Sequence, residues 1–100
     1  MLVVVWEYHA KPERIEDFES FYRPDGPWST LMRQSPAFVS ITLMKDLADP
    51  RRFMVADRWT SVTMYEEFKR ERGDEWRELS ERGARLYERE VEVGRFDFLD

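Results

Sequence analysis

A chain of 100 residues is the size of one domain, and it carries 16 Lys and Arg against 21 Asp and Glu, for a net charge of −5. This acidic balance argues against nucleic acid and against an anionic membrane as partners. The absence of Cys excludes disulfides, thiolate metal sites and thiol nucleophiles, and it is typical of a cytoplasmic protein. The longest uncharged stretch, residues 34–44, is too short to cross a bilayer, so we expect no membrane segment.

The first part of the chain is predicted to form a strand and two helices. Residues 2–9 open with a run of apolar, largely β-branched side chains, which is typical of a strand. Pro12 suits the first turn of a helix, and apolar residues then recur at helical spacing before the Pro/Gly break at residues 23–27: Ile15, Phe18, Phe21 and Tyr22. A short second helix is predicted over residues 28–34.

The second part is predicted to form a hairpin, two helices and a last strand. A short polar turn joins strands over residues 37–45 and 52–60, which favours antiparallel pairing. Ser61 is a good N-cap for the next helix, and Asp74 can cap a further helix that runs to residue 90. Five residues of this last helix fall at helical spacing, namely Trp76, Leu79, Gly83, Leu86 and Tyr87. The last strand is predicted over residues 91–99.

The resulting order is β-α-β-β-α-β. This order predicts an α+β, ferredoxin-like fold with a four-stranded antiparallel sheet, formed by residues 1–100 as a single domain.

The first two strands are apolar on both faces, although helices on one side of a sheet cover only one of them. An uncovered antiparallel face normally carries alternating polar residues, and a large bare apolar patch is rare. We therefore expect a homodimer in which a second copy covers the other face. Six side chains are predicted to lie at or beside this interface: Leu2, Val4, Trp6, Val39, Ile41 and Leu43.

Several segments carry a resemblance to a known family. They are the junction Arg58-Trp59-Thr60-Ser61 with Tyr65 and Phe68 after it, the opening VVVWEYHAKPERIEDFESFY, the helix after Gly26-Pro27-Trp28, and the sequence DPRRF before the third strand. Over nearly its whole length the chain resembles the antibiotic-biosynthesis-monooxygenase-like domains of the dimeric α+β barrel superfamily. The resemblance implies a homodimer with sheets packed face to face. Activities known in the family are cofactor-independent oxidation of aromatic polyketides by dioxygen, quinol oxidation and oxidative haem degradation.

The resemblance also implies a substrate pocket near Trp59 and Tyr65. In the cofactorless polyketide oxygenases a Trp at the end of the third strand and a Tyr six residues later lie in the pocket, and this chain keeps that spacing. Those enzymes have Asn four residues before the Trp, where this chain has Val55. The candidate substrate-binding residues are Trp59, Tyr65, Val55 and Trp76. Tyr65 is also a candidate catalytic residue. The alternative is structural, with Trp59 filling the core and Tyr65 anchoring its helix.

Glu7 and Asp57 are the candidate general bases. Strand alternation puts Asp57 on the face that carries Val55 and Trp59 and should look toward the helices. Glu7 stands where haem-degrading relatives carry an Asn. A carboxylate with a raised pKa at either position could remove a proton from a phenol. The alternative is that both acids pair with arginines, for which Arg58, Arg77 and Arg95 are candidates.

No cofactor is expected. His9, the only histidine, could in principle form a metal site with Glu7 and Asp57, but its place at the end of a strand favours exposure to solvent. Haem-degrading relatives take their iron-ligating His from the helix after the third strand, and residues 74–90 contain none. The four glycines form neither a phosphate loop nor a dinucleotide fingerprint.

The sequence therefore predicts a cofactor-independent monooxygenase that acts on a small phenol-like or quinol-like aromatic compound. The alternative is a non-catalytic member of the same fold, which binds a small apolar ligand or has a stress or regulatory role. Trp59 and Tyr65 favour the enzyme, whereas Val55 and the missing helix histidine favour the alternative.

Overall fold

The structure, a computed structural model, describes residues 1–99, so Asp100 of the predicted domain lies outside the described residues. In chain order the elements are β1 (Leu2–Ala10), a short 3₁₀ helix (Pro12–Arg14), α1 (Ile15–Tyr22), α2 (Pro27–Met32), β2 (Phe38–Lys45), β3 (Arg52–Trp59), α3 (Val62–Glu71), α4 (Gly73–Ala84) and β4 (Tyr87–Asp97). This order confirms the predicted ferredoxin-like α+β fold. Within residues 1–99, no helix is both long and apolar enough to cross a membrane.

The strands form one antiparallel sheet in the order β2-β3-β1-β4. The central strand β1 pairs with β3 from Leu2 opposite Trp59 to His9 opposite Arg52. Its pairing with β4 contains two register shifts, one of them between Val5 and Trp6. The sheet has an inner face, which packs against the helices, and an outer face on the opposite side.

Two helix boundaries depart from the sequence prediction. The Ser61 side chain caps α3 as predicted, because it accepts a hydrogen bond from the Met64 backbone N–H at 3.1 Å. The predicted cap at Asp74 is wrong, since α4 already begins at Gly73 and Asp74 lies in its first turn. The predicted extension of this helix to residue 90 is also wrong. The chain pairs with β1 from Tyr87 onward, and tertiary pairing of this kind overrides the helical spacing of Leu86 and Tyr87.

The core lies between the helices and the inner face. Strand β3 shows the alternation most clearly, because its four inner residues are buried while the residues between them are half-buried: Phe53, Val55, Asp57 and Trp59. Residues fully or almost fully removed from solvent include Val4, Phe18, Met32 and Tyr65.

The outer face combines apolar side chains with the charged residues Glu7, Arg52 and Arg58, and the prediction of which residues form it is wrong. Leu2, Val4 and Ile41 are buried in the inner core, while Trp6 and Leu43 lie half-buried on the inner side. Of the six predicted residues only Val39 is strongly exposed, at 45%. The outer face of β1 is formed instead by its odd-numbered positions, because the buried positions are the even-numbered ones. Apolar residues of this face are Val3, Val5, Met44, Met54, Ala56 and Phe96.

Candidate functional site

A cavity of about 120 Å³ lies between the inner face of the sheet and helices α1, α2 and α4. Six of its twelve lining residues are aromatic: Trp6, Tyr8, Tyr22, Trp28, Trp76 and Tyr87. Three aliphatic side chains complete its apolar surface: Met32, Ile41 and Val55. The remaining lining residues, Asp57, Ser80 and Glu90, are polar or acidic. An apolar cavity with few polar groups is the usual form of a small-molecule site.

Asp57 is the buried acid of this cavity. Alternation along β3 turns its side chain to the inner face, where the strand register places it between Val4 of β1 and Ile41 of β2. The residue is only 6% exposed, and its Oδ1 has no hydrogen-bond partner among the described residues. Burial raises the pKa of Asp57 from its ordinary value of 3.8 to about 7, because the charged form is poorly solvated there. The carboxyl can therefore both accept and release a proton near neutral pH.

Tyr8 and Glu90 form a polar contact across β1 and β4. The Tyr8 hydroxyl donates a hydrogen bond to Oε2 of the exposed Glu90 at 2.9 Å. Burial raises the pKa of Tyr8 far above its ordinary value, and the neighbouring Tyr22 and Glu90 add to this effect. Burial, with a contribution from Glu90, also raises the pKa of Tyr87 to about 12. Both hydroxyls therefore remain protonated donors at neutral pH.

Tyr22 lies close to a glycine of α4. Its ring packs on Phe18 and Tyr8, with centroid separations of 4.4 and 4.9 Å. A Cβ atom added at Gly83 would lie 2.3 Å from the Tyr22 hydroxyl oxygen. Gly83 therefore provides the space for this hydroxyl between α1 and α4.

Trp28 and Trp76 form an aromatic pair in the cavity wall. Their rings meet edge to face with centroids 4.9 Å apart. Trp28 is 9% exposed, and its indole Nε1 is fully buried. The Trp28 side chain lies beside the Tyr22 hydroxyl, and this contact opposes the rise that burial gives to the pKa of Tyr22.

The structure places Val55 and Trp76 in the cavity wall but not Trp59 and Tyr65. Trp59 is fully buried in an aromatic cluster, with its ring centroid 5.0 Å from that of Tyr65. Burial, together with the nearby Asp57, raises the pKa of Tyr65 well above its usual range. This placement agrees with the structural alternative, in which both residues fill the core.

Glu7 and His9 lie on the outer face of the sheet, away from Asp57. The Arg52 guanidinium donates a hydrogen bond to Glu7 Oε2 at 2.6 Å, and this contact lowers the pKa of the Glu7 carboxyl. The expectation of a raised pKa is therefore wrong for Glu7. Its arginine partner is Arg52 and none of the three predicted candidates, Arg58, Arg77 and Arg95. Residues 1–99 contain no group of three or more His, Asp and Glu side chains placed to hold a metal ion.

Most of the aromatic wall was missed from the sequence. Trp6 and Tyr8 lie on the same face of β1 as the buried Val4, so alternation could have placed them beside Asp57. The contribution of Tyr87 could not be found, because its spacing predicts a helix where the chain forms β4. Glu90 was missed for the same reason.

Comparisons with known proteins agree with this architecture. Residues 1–84 match the model of the family described as antibiotic biosynthesis monooxygenase. The chain belongs to this family. No curated protein matches the sequence.

Several solved structures share the fold of this family member at low sequence identity. A crystal structure of an antibiotic biosynthesis monooxygenase is 21% identical, with a TM-score of 0.74 and complete coverage of both chains. A mutant of SnoaB, a cofactor-independent oxygenase from Streptomyces nogalater, is 15% identical, with a TM-score of 0.82 over 99% of this chain and 93% of its own. PA3566 from Pseudomonas aeruginosa is 17% identical, with a TM-score of 0.71 over 99% of this chain and 94% of its own.

Proposed function

We propose that this protein is a cofactor-independent monooxygenase that oxidises a small phenol-like or quinol-like compound, with Asp57 as the general base. The observation that carries the proposal is the unpartnered carboxyl of Asp57, with a pKa of about 7, in a cavity walled by six aromatic residues. Family membership and the fold shared with SnoaB, a cofactor-independent oxygenase, support the class of reaction.

The cavity wall suits a planar aromatic ligand. The rings of Trp6, Trp28 and Trp76 offer apolar contact and edge-to-face packing, which stabilise an aromatic guest beyond the burial of its area. Val55 contributes to the wall beside them. Trp59 and Tyr65 pack in the core and, in this proposal, hold the Asp57 strand in place without touching the substrate.

The reaction begins when the Asp57 carboxylate takes a proton from the substrate hydroxyl or an activated C–H. The resulting anion is rich in electrons and reduces dioxygen directly, so the substrate itself supplies the electrons. One oxygen atom forms a new carbonyl on the ring, and the other leaves as water with the two hydrogens that the substrate loses. For a simple phenol the products are a quinone and one water molecule, so that atoms and electrons balance.

Oxygen consumption tests this proposal. The purified protein is supplied with quinols and anthrone-like phenols in an oxygen electrode, and the product is analysed by mass spectrometry under ¹⁸O₂. We expect uptake of one dioxygen per product and a single ¹⁸O atom in the product. Ligand binding without any oxygen uptake would contradict the proposal and support the non-catalytic alternative.

We also propose that the protein is a homodimer joined through the outer face of the sheet. Phe96 is 50% exposed on this face, Met44 is 47% exposed, and between them lie the apolar outer side chains of β1 and β3. Exposed apolar side chains grouped on one face of a sheet mark an interaction site. The self-complementary surface of a two-fold dimer would cover it on both copies at once.

A further inference from the structure

Tyr8 is a buried phenol of the cavity wall that the proposed reaction does not use. The residue is only 4% exposed, and its hydroxyl donates a hydrogen bond of 2.9 Å to Oε2 of Glu90. Glu90 lies directly opposite Tyr8 on β4 and is exposed to solvent. Burial raises the pKa of Tyr8 far above its ordinary value, so the hydroxyl keeps its proton at neutral pH. This proton therefore lies between a buried ring and an exposed carboxylate.

A hydrogen bond of this kind prepares a phenol for one-electron oxidation. Loss of an electron alone would leave a positive charge in a buried side chain, which is costly. If the proton moves to Glu90 at the same time, Tyr8 becomes a neutral phenoxyl radical and the buried ring carries no charge. Such a proton transfer requires an acceptor within hydrogen-bond reach, and the contact between Tyr8 and Glu90 meets this requirement.

Aromatic rings connect Tyr8 with the cavity and with the surface. The ring of Trp6, which also lines the cavity, is stacked with that of Tyr8 at a centroid separation of 6.5 Å. The ring of Tyr87 lies 5.1 Å from that of Tyr8. Trp6 and Tyr87 are both half-buried, so each is also in contact with solvent. An electron can therefore pass between Tyr8 and either neighbour across one contact between two rings.

We propose that Tyr8 and Glu90 form a redox-active pair that supplies one electron to an organic radical in the cavity. The Tyr8 O–H bond breaks, its electron reduces the radical to an anion, and its proton moves to Oε2 of Glu90. A soluble one-electron donor such as a thiol then reduces the phenoxyl radical through Tyr87, and the proton returns from Glu90. The pair thus restores a ligand that has lost a single electron. This role goes beyond the proposed function, because that reaction does not involve Tyr8.

Pulse radiolysis tests the proposal without any substrate or turnover. Azide radicals oxidise solvent-accessible tryptophan side chains, and Trp6 and Trp76 are the two half-buried tryptophans of the four in the chain. The indolyl radical of Trp6 then stands in for the organic radical. We expect its absorption to decay while that of a phenoxyl radical grows, at a rate independent of protein concentration. The transfer should be slower in heavy water than in ordinary water, because a proton moves with the electron.

Three variants identify the pair. Tyr8→Phe should lose this transfer, because it removes the phenol and keeps the ring. Glu90→Gln can still accept a hydrogen bond but cannot take up the proton, so the transfer should be at least about 10²-fold slower. Tyr65→Phe is the matched control, since the Tyr65 ring lies 6.1 Å from that of Trp76 while its acidic neighbours act on its hydroxyl through charge and not through a hydrogen bond. This control should keep the wild-type rate.

The proposal is overturned if folded Tyr8→Phe keeps the transfer at full amplitude, or if Glu90→Gln transfers as fast as the wild type. Thermal melting verifies that the variants are folded. A wild-type transfer of equal rate in heavy and ordinary water, or a wild type that forms no phenoxyl radical, also overturns it, and neither measurement needs a variant. None of these results bears on the proposed oxygenase, which oxygen uptake tests separately.

Discussion

Asp57 and Glu7 lie on adjacent strands of one sheet, yet their carboxyls are on opposite faces and their pKa values move in opposite directions. The Asp57 carboxyl is buried without a partner, which raises its pKa to about 7. The Glu7 carboxyl accepts a hydrogen bond from Arg52, which lowers its pKa. Asp57 therefore has the environment of a proton acceptor at neutral pH, whereas the Arg52 contact keeps the Glu7 carboxylate ionised there.

Stability should depend on pH through Asp57. Below pH 3.8 this carboxyl is protonated in both the folded and the unfolded chain, and between pH 3.8 and about 7 only the unfolded chain ionises. The free energy of unfolding should therefore fall as pH rises through this range, by on the order of 4 kcal/mol in all. Asp57→Asn removes this loss. Urea unfolding at fixed protein concentration should therefore show that the free energy of unfolding of the variant, relative to that of the wild type, increases from pH 5 to pH 8. An equal difference at both pH values would show that Asp57 does not titrate as described.

Gly83 should resist substitution because of the Tyr22 hydroxyl. Gly83→Ala places a Cβ 2.3 Å from that oxygen and should destabilise the protein by about 1–3 kcal/mol, the usual cost of overpacking. Gly73→Ala is the matched control, since its Cβ meets nothing within 4 Å. Adding Tyr22→Phe to Gly83→Ala should recover part of the loss, as measured by thermal unfolding. Failure of this rescue would show that the contact is not the cause.

Charged substitutions at two neighbouring valines of β1 should have different effects, one on folding and the other on dimer formation. Val4 is fully buried on the inner face, whereas the neighbouring Val5 is half-buried on the outer face. Val4→Asp should unfold the chain, because it places a charge in the core. Val5→Asp should yield a folded monomer that sedimentation velocity distinguishes from a wild-type dimer. A wild-type monomer, or a Val5→Asp dimer of undiminished stability, would contradict the proposed interface.

The topology could be predicted from the sequence because each element carries its own local signal. Runs of β-branched residues indicated the strands, and Ser61 indicated the start of α3. The predicted boundary between the last helix and the last strand is wrong at Tyr87, because the spacing of this residue is equally compatible with the start of a strand. Pairing with Ala10 of β1 decides between the two, and local sequence does not contain that contact.

The candidate site could be predicted only in part. Alternation correctly placed Asp57 and Val55 on the helix side of β3. The same rule, applied to β1, gave two faces without saying which one the helices cover, so Leu2 and Val4 were assigned to the wrong face. Whether Trp59 lines a cavity or fills the core depends on how α3 packs against the sheet, which spacing along the chain does not determine.

The central claim is that Asp57 is the base, and the pH profile of kcat/KM for an oxidised substrate tests it most directly. The wild-type value should rise with pH through about 7 and then level off, since the carboxylate is the active form. Folded Asp57→Asn should lose about 10²- to 10⁴-fold, whereas Glu7→Gln should keep the wild-type rate and profile. An Asp57→Asn variant that retains the wild-type rate, or a Glu7→Gln variant that loses it, would contradict the account.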